Sequence, residues 1–205
     1  MKLLLASSNR GKLREFEPFL ADKVELISPS DPSFAGKVAP DVVEDGTTYF
    51  ENALKKALQY YAVFKTPVLS DDSGLEVDGL DGEPGVFSAR YGGESLSWSE
   101  RWDKLHRALA PFPKDRWTAR FRCILCYYRG EGTVPVFFFG TVEGQILPRP
   151  RGEKGFGYDP IFFCPQIGKA FGEAMPSEKE LVSHRSRAIH QFLSSGMLDH
   201  LKCPE

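Results

Sequence analysis

Apolar residues recur along the chain with the spacings that are typical of helices and of strands. From Phe50 to Tyr61 they return every three or four positions, which predicts an amphipathic helix. Thr48 and Glu51 form a capping-box signature at its start, so this helix is the most strongly predicted element. Similar spacing predicts helices over residues 13–20, 97–109 and 183–193. Pro18 weakens the first of these three predictions, because proline removes a helix hydrogen bond.

Short apolar runs predict strands at residues 2–6, 24–27, 67–70, 117–128 and 134–142. The two longest runs are rich in aromatic and β-branched residues, which predicts neighbouring strands that form the backbone of a sheet. The strand after Pro67 is expected to end at Asp71, so that Asp71 and Asp72 begin a loop. An acidic, proline-rich loop at 28–45 and a glycine-rich loop at 152–158 are further candidates for function.

Composition limits the classes of protein to which the chain can belong. Its 205 residues predict one domain, or one domain with a cleft between two lobes. Lysine and arginine number 26 against 28 acidic residues, a net charge of −2, so the chain lacks the basic excess of a duplex nucleic-acid binder. The apolar run at residues 3–6 is too short for a signal peptide or a membrane span, and we expect a cytoplasmic protein.

Cysteine usage agrees with a reducing compartment, because four cysteines are too few and too scattered for a disulfide scaffold. Cys123 and Cys126 form a C-x-x-C motif, but residues three apart on a strand point to opposite faces. We therefore expect buried or half-exposed thiols and neither a zinc site nor a redox centre. The remaining two cysteines are Cys164 and Cys203.

The segment SSNRGK, residues 7–12, leaves a predicted strand and opens a predicted helix. Backbone amides, the helix dipole and Lys12 can converge there on an anion, as in a phosphate cradle. The segment lacks the glycine pattern and the final Lys-Ser/Thr of a Walker loop. The alternative is that Ser8 or Asn9 only caps the helix and Lys12 is a solvated charge.

Two adjacent carboxylates, Asp71 and Asp72, stand out in the segment LSDDSGL. Their mutual repulsion would be relieved by a hard divalent cation, and magnesium accepts one or two carboxylates together with substrate phosphates. The alternative is a turn in which an aspartate caps the backbone beside Ser73 and Gly74. Glu44 is a candidate further ligand, whereas the capping role already accounts for Glu51.

Three later segments carry candidate binding groups. Ser88 and Arg90 follow a Pro-Gly turn and can present a hydroxyl and a guanidinium to phosphate, or belong to an ordinary turn. The aromatics of GFGYDPIFF, residues 155–163, can stack on a base or plug the core. In SHR, residues 183–185, the donor-only arginine can favour a purine with a 6-oxo acceptor over adenine.

Six short segments, in one order and covering nearly the whole chain, carry a resemblance that none of them carries alone. They are SSNRGK, EDGTTYFENA, SDDSGL, GEPGVFSARYGG, PRGEKGFGYDPIFF and EKELVSHRSRA. In this order the chain resembles the inosine/xanthosine triphosphate pyrophosphatase family. The resemblance implies an elongated, two-lobed α/β fold, with a long twisted mixed sheet flanked by helices and a nucleotide cleft between the lobes.

The same resemblance implies hydrolysis of ITP, dITP and XTP to the monophosphate and pyrophosphate, with Mg2+ as cofactor. It further implies a homodimer that acts on free nucleotides, without stable nucleic-acid or membrane binding. Asp72 is the implied proton acceptor and a metal ligand, with Glu44 and Asp71 as further metal ligands. The implied substrate-binding residues are Ser7, Ser8, Asn9, Arg10, Gly11, Lys12, Ser73, Phe156, Gly157, Tyr158, Asp159, Lys179, His184 and Arg185.

Two departures from the family pattern and three competing hypotheses accompany this interpretation. Glu180 stands where the family commonly has asparagine, which affects the expected fine specificity, and Ser7-Ser8 replaces a threonine-containing version.

A Maf-like nucleotide pyrophosphatase, the first competing hypothesis, would have an arginine pair in the first turn, where this chain has Arg10-Gly11-Lys12. The second hypothesis is a nucleotide-binding regulatory module without catalysis, and the third is a structural α/β protein whose aspartates cap turns.

Overall fold

One mixed β-sheet organises the fold in the computed structural model, which describes residues 2–199. Within these residues the sheet has seven strands in the order β2-β1-β3-β4-β5-β6-β7. Strand β1 pairs in parallel with β2 and β3, whereas β6 pairs antiparallel with β5 and β7. The strands are β1 (Lys2–Leu5), β2 (Glu25–Ile27), β3 (Val68–Val77), β4 (Thr118–Tyr128), β5 (Val136–Ile146), β6 (Phe162–Cys164) and β7 (Lys169–Ala170).

Helices flank this sheet, which confirms the predicted α/β class. They are α1 (Arg10–Leu20), α2 (Tyr49–Phe64), α3 (Trp98–Leu109), α4 (Pro176–Val182) and α5 (His184–Ser194). Helix α1 continues through the exposed Pro18, because Phe16 and Leu20 on its buried face pack into the core on either side of it. The sequence interpretation missed α4 and the two-residue strand β7. No helix in the described part of the chain combines the length and apolar character that crossing a membrane requires.

The predicted capping box starts α2. The Thr48 hydroxyl accepts a hydrogen bond from the Glu51 amide at 3.2 Å, and the Glu51 carboxylate accepts one from the Thr48 amide at 3.0 Å. At the other end, Lys65 adopts a left-handed conformation with φ 52° and stops the helix. The predicted apolar stripe of α2 is buried at Ala53 and Ala57, but Phe50 and Leu58 are exposed, and Tyr60 lies on the buried face instead.

The described chain divides into two compact units. Unit 1 comprises residues 2–72, 123–140 and 185–199, and unit 2 comprises residues 73–122 and 141–184. Unit 1 contains two buried apolar clusters, one including Phe16 and Phe192 and the other including Phe34 and Phe64. The apolar cluster of unit 2 includes Phe162. A single domain over residues 1–205 remains a prediction.

Strand β3 does not end at Asp71, so the predicted strand end is wrong, and the alternative of a turn at the two aspartates is wrong as well. The strand continues through both aspartates to Val77, and Leu75 and Val77 are completely buried in it. Local composition favours a turn at Asp-Asp-Ser-Gly, but cationic side chains from distant parts of the chain neutralise the acids inside unit 1. Tertiary contacts therefore outweigh the local preference.

The cysteines agree with the expectation of buried thiols. Cys123 and Cys126 lie on β4 and belong to different apolar clusters of unit 1, as opposite strand faces require. Cys164 is buried in unit 2. Cys203 lies outside the described residues.

The capping box yields a stability prediction. Thr48→Ala removes the oxygen that accepts from the Glu51 amide, and we expect the free energy of unfolding to fall by about 1 kcal/mol. Urea denaturation followed by circular dichroism measures this change. Thr48→Ser keeps the hydroxyl and serves as the matched control, and an equal loss in both variants would contradict the capping role.

Candidate functional site

The segment SSNRGK, residues 7–12, leads from β1 into α1, which begins at Arg10. The Asn9 side chain caps the helix, since its Oδ1 accepts from the amides of Gly11 at 2.8 Å and Lys12 at 3.3 Å. Ser7 Oγ accepts from the Asn9 amide at 3.1 Å and orders the turn, in which Ser8 and Arg10 are exposed. Capping is therefore part of the function of this segment, but Lys12 is not a solvated charge.

Lys12 and Arg185 converge on the buried carboxylate of Asp71. Lys12 Nζ lies 2.5 Å from Asp71 Oδ1, and Arg185 Nε lies 2.6 Å from Oδ2. The Arg185 guanidinium also pairs with Glu15, so it joins α1, β3 and α5 through charged contacts. Burial raises the pKa of the Asp71 carboxyl, but Arg185 and Lys12 outweigh burial and hold that pKa well below its usual value. Asp71 is therefore an anchor that is charged at neutral pH.

Asp72 has a different environment, built by α2. Lys56 Nζ lies 2.9 Å from Asp72 Oδ1, and the Asn52 amide nitrogen lies 3.3 Å from Oδ2. Burial raises the pKa of Asp72, and the opposing charges of Lys56 and Lys12 do not fully cancel this effect. Because successive side chains of a strand point to opposite faces, adjacent aspartates acquire opposite pKa shifts.

Lys56 is a candidate functional residue that the sequence interpretation missed. It is only 6 % exposed, and its ammonium donates to the Asp71 carbonyl at 2.6 Å and pairs with Glu44 at 3.3 Å. Burial lowers the pKa of Lys56, but Asp72, Glu44 and Asp71 outweigh burial and raise it, so the ammonium stays charged. A signal was present in the sequence, because Lys56 occupies the apolar face that Ala53 and Tyr60 define.

Asp72 and Glu44 form a carboxylate pair that suits a hard cation, since both approach the same ammonium. In the described residues, no three Asp, Glu, His or Cys side chains form a complete metal site by themselves. Magnesium needs only one or two carboxylates when substrate phosphates and water supply the other oxygens, so the donor set fits. The strand pleat favours Asp72 over Asp71 for this role, and metal binding stays a prediction.

In unit 2, the glycine-rich loop brings another part of the predicted set together. Asp159 Oδ2 accepts from the Phe156 amide at 2.8 Å and pairs with Lys179 Nζ at 2.6 Å. Lys179 lies 5.2 Å from the centre of the Phe156 ring. A side chain at Gly155 would meet Asp159 Oδ2 at 2.1 Å, so the loop closes tightly on its own carboxylate. Phe156 is only partly buried, and its ring can contact a ligand.

The other predicted binding residues divide between the units. Tyr158 is buried in unit 2 and donates to the Ser88 carbonyl at 3.0 Å, so most of its ring packs in the core. His184 also lies in unit 2, where its ring stacks on Phe121 with centroids 4.9 Å apart. Ser73 lies within β3 at the start of unit 2. Arg185 belongs to the Asp71 cluster of unit 1, and its predicted part in base recognition stays a prediction.

Ser88 and Arg90 occupy a 3-10 helix in unit 2. The Ser88 hydroxyl accepts from the Leu75 amide at 2.8 Å and donates to the Gly85 carbonyl at 2.6 Å. Arg90 lies 5.0 Å from the centre of the Phe87 ring. These contacts support a structural role for Ser88 in an ordinary turn.

Fold and charge define an α/β protein in which Lys12 and the buried Lys56 lie beside the carboxylates of Asp71, Asp72 and Glu44. The Ham1 family profile matches residues 3–195, and the chain belongs to this family. It is 39% identical over 196 residues to the dITP/XTP pyrophosphatase of Vibrio cholerae serotype O1, covering 95% of this chain and 96% of the relative. It is 44% identical to the dITP/XTP pyrophosphatase of Geobacillus kaustophilus, covering 92% of this chain and 90% of the relative.

Solved structures give the same family assignment. A HAM1 protein from Coxiella burnetii aligns with a TM-score of 0.85 and 36% identity, covering 95% of this chain and 98% of that protein. A nucleoside-triphosphatase, also titled dITP/XTP pyrophosphatase, from Mycobacterium abscessus aligns with a TM-score of 0.74 and 37% identity, covering 94% and 99%. The resemblance inferred from the six segments is therefore confirmed.

The Asp71 anchor yields a stability prediction. Asp71→Asn leaves Lys12 and Arg185 without their shared counter-charge, and we expect a loss of about 3–5 kcal/mol in the free energy of unfolding. Because the native pKa of Asp71 is lowered, the stability that its charge contributes is fully present above the unfolded-state pKa of about 4. It disappears as the pH falls through the native pKa, so the difference from the wild type shrinks on acidification.

Chemical denaturation at several pH values tests this expectation, and Asp45→Asn is the control. Asp45 forms an exposed ion pair with Lys55, which is worth at most about 1 kcal/mol. A loss for Asp71→Asn no larger than that of the control would contradict the anchor role.

Two adjacent lysines on α2 give a second prediction. Lys56→Met removes a buried ammonium beside two carboxylates, whereas Lys55→Met removes a partly exposed one. A charge-assisted hydrogen bond is worth about 1.5–3 kcal/mol, so we expect Lys56→Met to weaken pyrophosphate binding by roughly 10-fold or more. Isothermal titration calorimetry measures this, and Lys55→Met should stay within about twofold of the wild type. Equal effects of the two substitutions would exclude Lys56 from the anion site.

Proposed function

We propose that this chain hydrolyses dITP, ITP and XTP to the corresponding monophosphate and pyrophosphate. The observation that carries the proposal is the juxtaposition of Asp72, Glu44 and the buried ammonium of Lys56, next to Lys12 on Asp71. Such an arrangement combines a base, a carboxylate pair and cations that suit a triphosphate. The names of the relatives, dITP/XTP pyrophosphatase, support the substrate class.

Residues 7–12 would bind the phosphates. The amides at the start of α1 and the positive end of its dipole favour an anion there. Lys12 and Lys56 add two ammonium groups, which their contacts with Asp71 hold in place before substrate arrives. Preorganised charges of this kind stabilise a developing negative charge without reorganisation during the reaction.

Asp72 would orient or deprotonate the attacking water. Burial makes its carboxylate a stronger base than an exposed aspartate, because the raised pKa lies closer to neutral pH. Magnesium held by Asp72 and Glu44 would supply charge neutralisation for the phosphates. Asp71 would act as a positioning residue, since its carboxylate already pairs with Lys12 and Arg185.

Phe156, Asp159 and Lys179 would bind the base in unit 2. The partly exposed Phe156 ring offers a stacking surface, and Lys179 is a donor that suits the 6-oxo acceptor of hypoxanthine or xanthine. Adenine presents an amino donor at the same position, so a donor at this point disfavours it. Gly157, Tyr158 and His184 would support this subsite, and Ser73 would contact substrate.

The proposal includes a cytoplasmic homodimer that acts on free nucleotides and cleanses the nucleotide pool. The net charge of −2 supports the absence of stable nucleic-acid binding. Size-exclusion chromatography with light scattering tests the homodimer.

A screen of nucleoside triphosphates with magnesium tests the function. We expect pyrophosphate release from dITP, ITP and XTP, with kcat/KM at least about 10-fold above that for dATP, because the 6-amino donor of adenine would face a donor where the other bases present an acceptor. Release of orthophosphate in place of pyrophosphate would contradict the reaction. Binding of dITP without any hydrolysis would support a regulatory module without catalysis.

Asp72→Asn removes the proposed proton acceptor while keeping the size of the side chain. We expect kcat with dITP to fall by about 10²–10⁴-fold, the range of general acid–base contributions, in a protein with a native circular dichroism spectrum. Asp41→Asn, in the exposed loop before α2, is the control and should retain full turnover. Near-normal turnover of Asp72→Asn would remove Asp72 from this role.

A further inference from the structure

A cavity of about 850 Å³ lies in unit 2 beside the glycine-rich loop. Its size falls in the range of small-molecule sites. Helix α3 contributes Trp98 and Trp102 to its wall, and the loop contributes Phe156 and Gly157. Neither tryptophan is among the residues assigned a role above.

Trp102 makes a directed contact with this loop. Its indole Nε1 donates to the Gly157 carbonyl at 3.0 Å, across 55 residues of sequence. Gly157 has a left-handed backbone with φ 66°. It stands between Phe156 and Tyr158 in the sequence. The Trp98 ring lies under the same glycine, since a Cβ built there would meet it at 3.6 Å, and it packs edge-on against Tyr158.

Helix α3 is itself firmly attached in unit 2, so the indole donor has a fixed position. Ser97 and Glu100 form a capping box at the start of the helix. Arg101 is only 4 % exposed and donates to the carbonyls of Tyr91 at 2.9 Å and Gly93 at 2.7 Å. These contacts hold the segment before α3 against the helix.

The loop needs such an external attachment. Gly152, Gly155 and Gly157 all adopt positive φ, and glycine loses more conformational entropy on ordering than any other residue. Asp159 fixes the loop at the Phe156 amide, and Trp102 fixes it one residue later at a carbonyl. The two hydrogen bonds together hold the backbone on both sides of the Phe156–Gly157 peptide.

We propose that Trp102 is a positioning residue that holds the Phe156–Asp159 loop in the conformation that receives the purine base. This inference rests on the proposed function, in which Phe156 and Lys179 contact the base. Because the indole N–H of Trp102 donates to the base loop, its loss should affect substrate binding and base discrimination more than the chemical step.

Trp102→Phe removes the indole N–H and keeps an aromatic ring. We expect the KM for dITP to rise about threefold to 10-fold, as the loss of one hydrogen bond predicts, with kcat changed less than about twofold. The kcat/KM ratio of dITP to dATP should fall. Hydrogen exchange of the amides over residues 152–160, measured without nucleotide, should become faster.

Trp117→Phe is the matched control, because Trp117 Nε1 also donates to a carbonyl in unit 2, that of Phe112 at 3.2 Å. The control should leave KM, discrimination and exchange of the loop unchanged. If Trp102→Phe folds poorly, 3-benzothienylalanine at position 102 keeps the shape of the indole and removes only the N–H.

Unchanged KM and unchanged exchange in a folded Trp102 variant would overturn the proposal, as would equal effects of the control. Failure of the proposed function is distinguishable, because the wild type would then not hydrolyse dITP. The exchange measurement still tests the contact between Trp102 and the loop in that case.

Discussion

Asp71, which is buried in β3, contacts three helices of unit 1. One carboxylate oxygen contacts Lys12 on α1, the other contacts Arg185 on α5, and the backbone carbonyl accepts from Lys56 on α2. An unpaired charge in such a position would cost several kcal/mol, so the four groups are mutually dependent. The same contacts that stabilise unit 1 therefore fix the two lysines that the proposed function assigns to phosphate.

The strand pleat places the next side chain, that of Asp72, in a different environment. Asp72 points to the other face of β3, where burial raises its pKa and the charges of Lys56 and Lys12 oppose this shift only in part. Asp71 is thus ionised at neutral pH and paired with Lys12 and Arg185, while its neighbour Asp72 has the higher pKa. Their environments shift the pKa values of two adjacent residues of the same type apart, and the proposed function assigns only Asp72 to proton transfer.

Local patterns predicted the position of α2 and its Thr48 capping box well, whereas its buried face agrees with the predicted stripe only in part, because Phe50 and Leu58 are exposed. They failed at Asp71 and Asp72, where a turn-like composition lies inside a strand. The groups that neutralise these acids include Lys56 and Arg185, which are 15 and 114 residues away from Asp71 in the sequence, so the residues next to the two aspartates do not report the pairing. The family resemblance already implied Asp72 as the proton acceptor and Asp71 as a further metal ligand, and the structure adds that the Asp71 carboxylate pairs with Lys12 and Arg185.

The different roles of Asp71 and Asp72 depend most directly on the opposite shifts of their pKa values. Carbon-detected NMR titration of the aspartate carboxyl groups, assigned through conservative variants of neighbouring residues, measures both pKa values in the native protein. We expect the carboxyl of Asp71 to titrate well below the usual aspartate value of about 3.9 and that of Asp72 to titrate above it. The reverse order, or two unshifted values, would contradict the division into anchor and base.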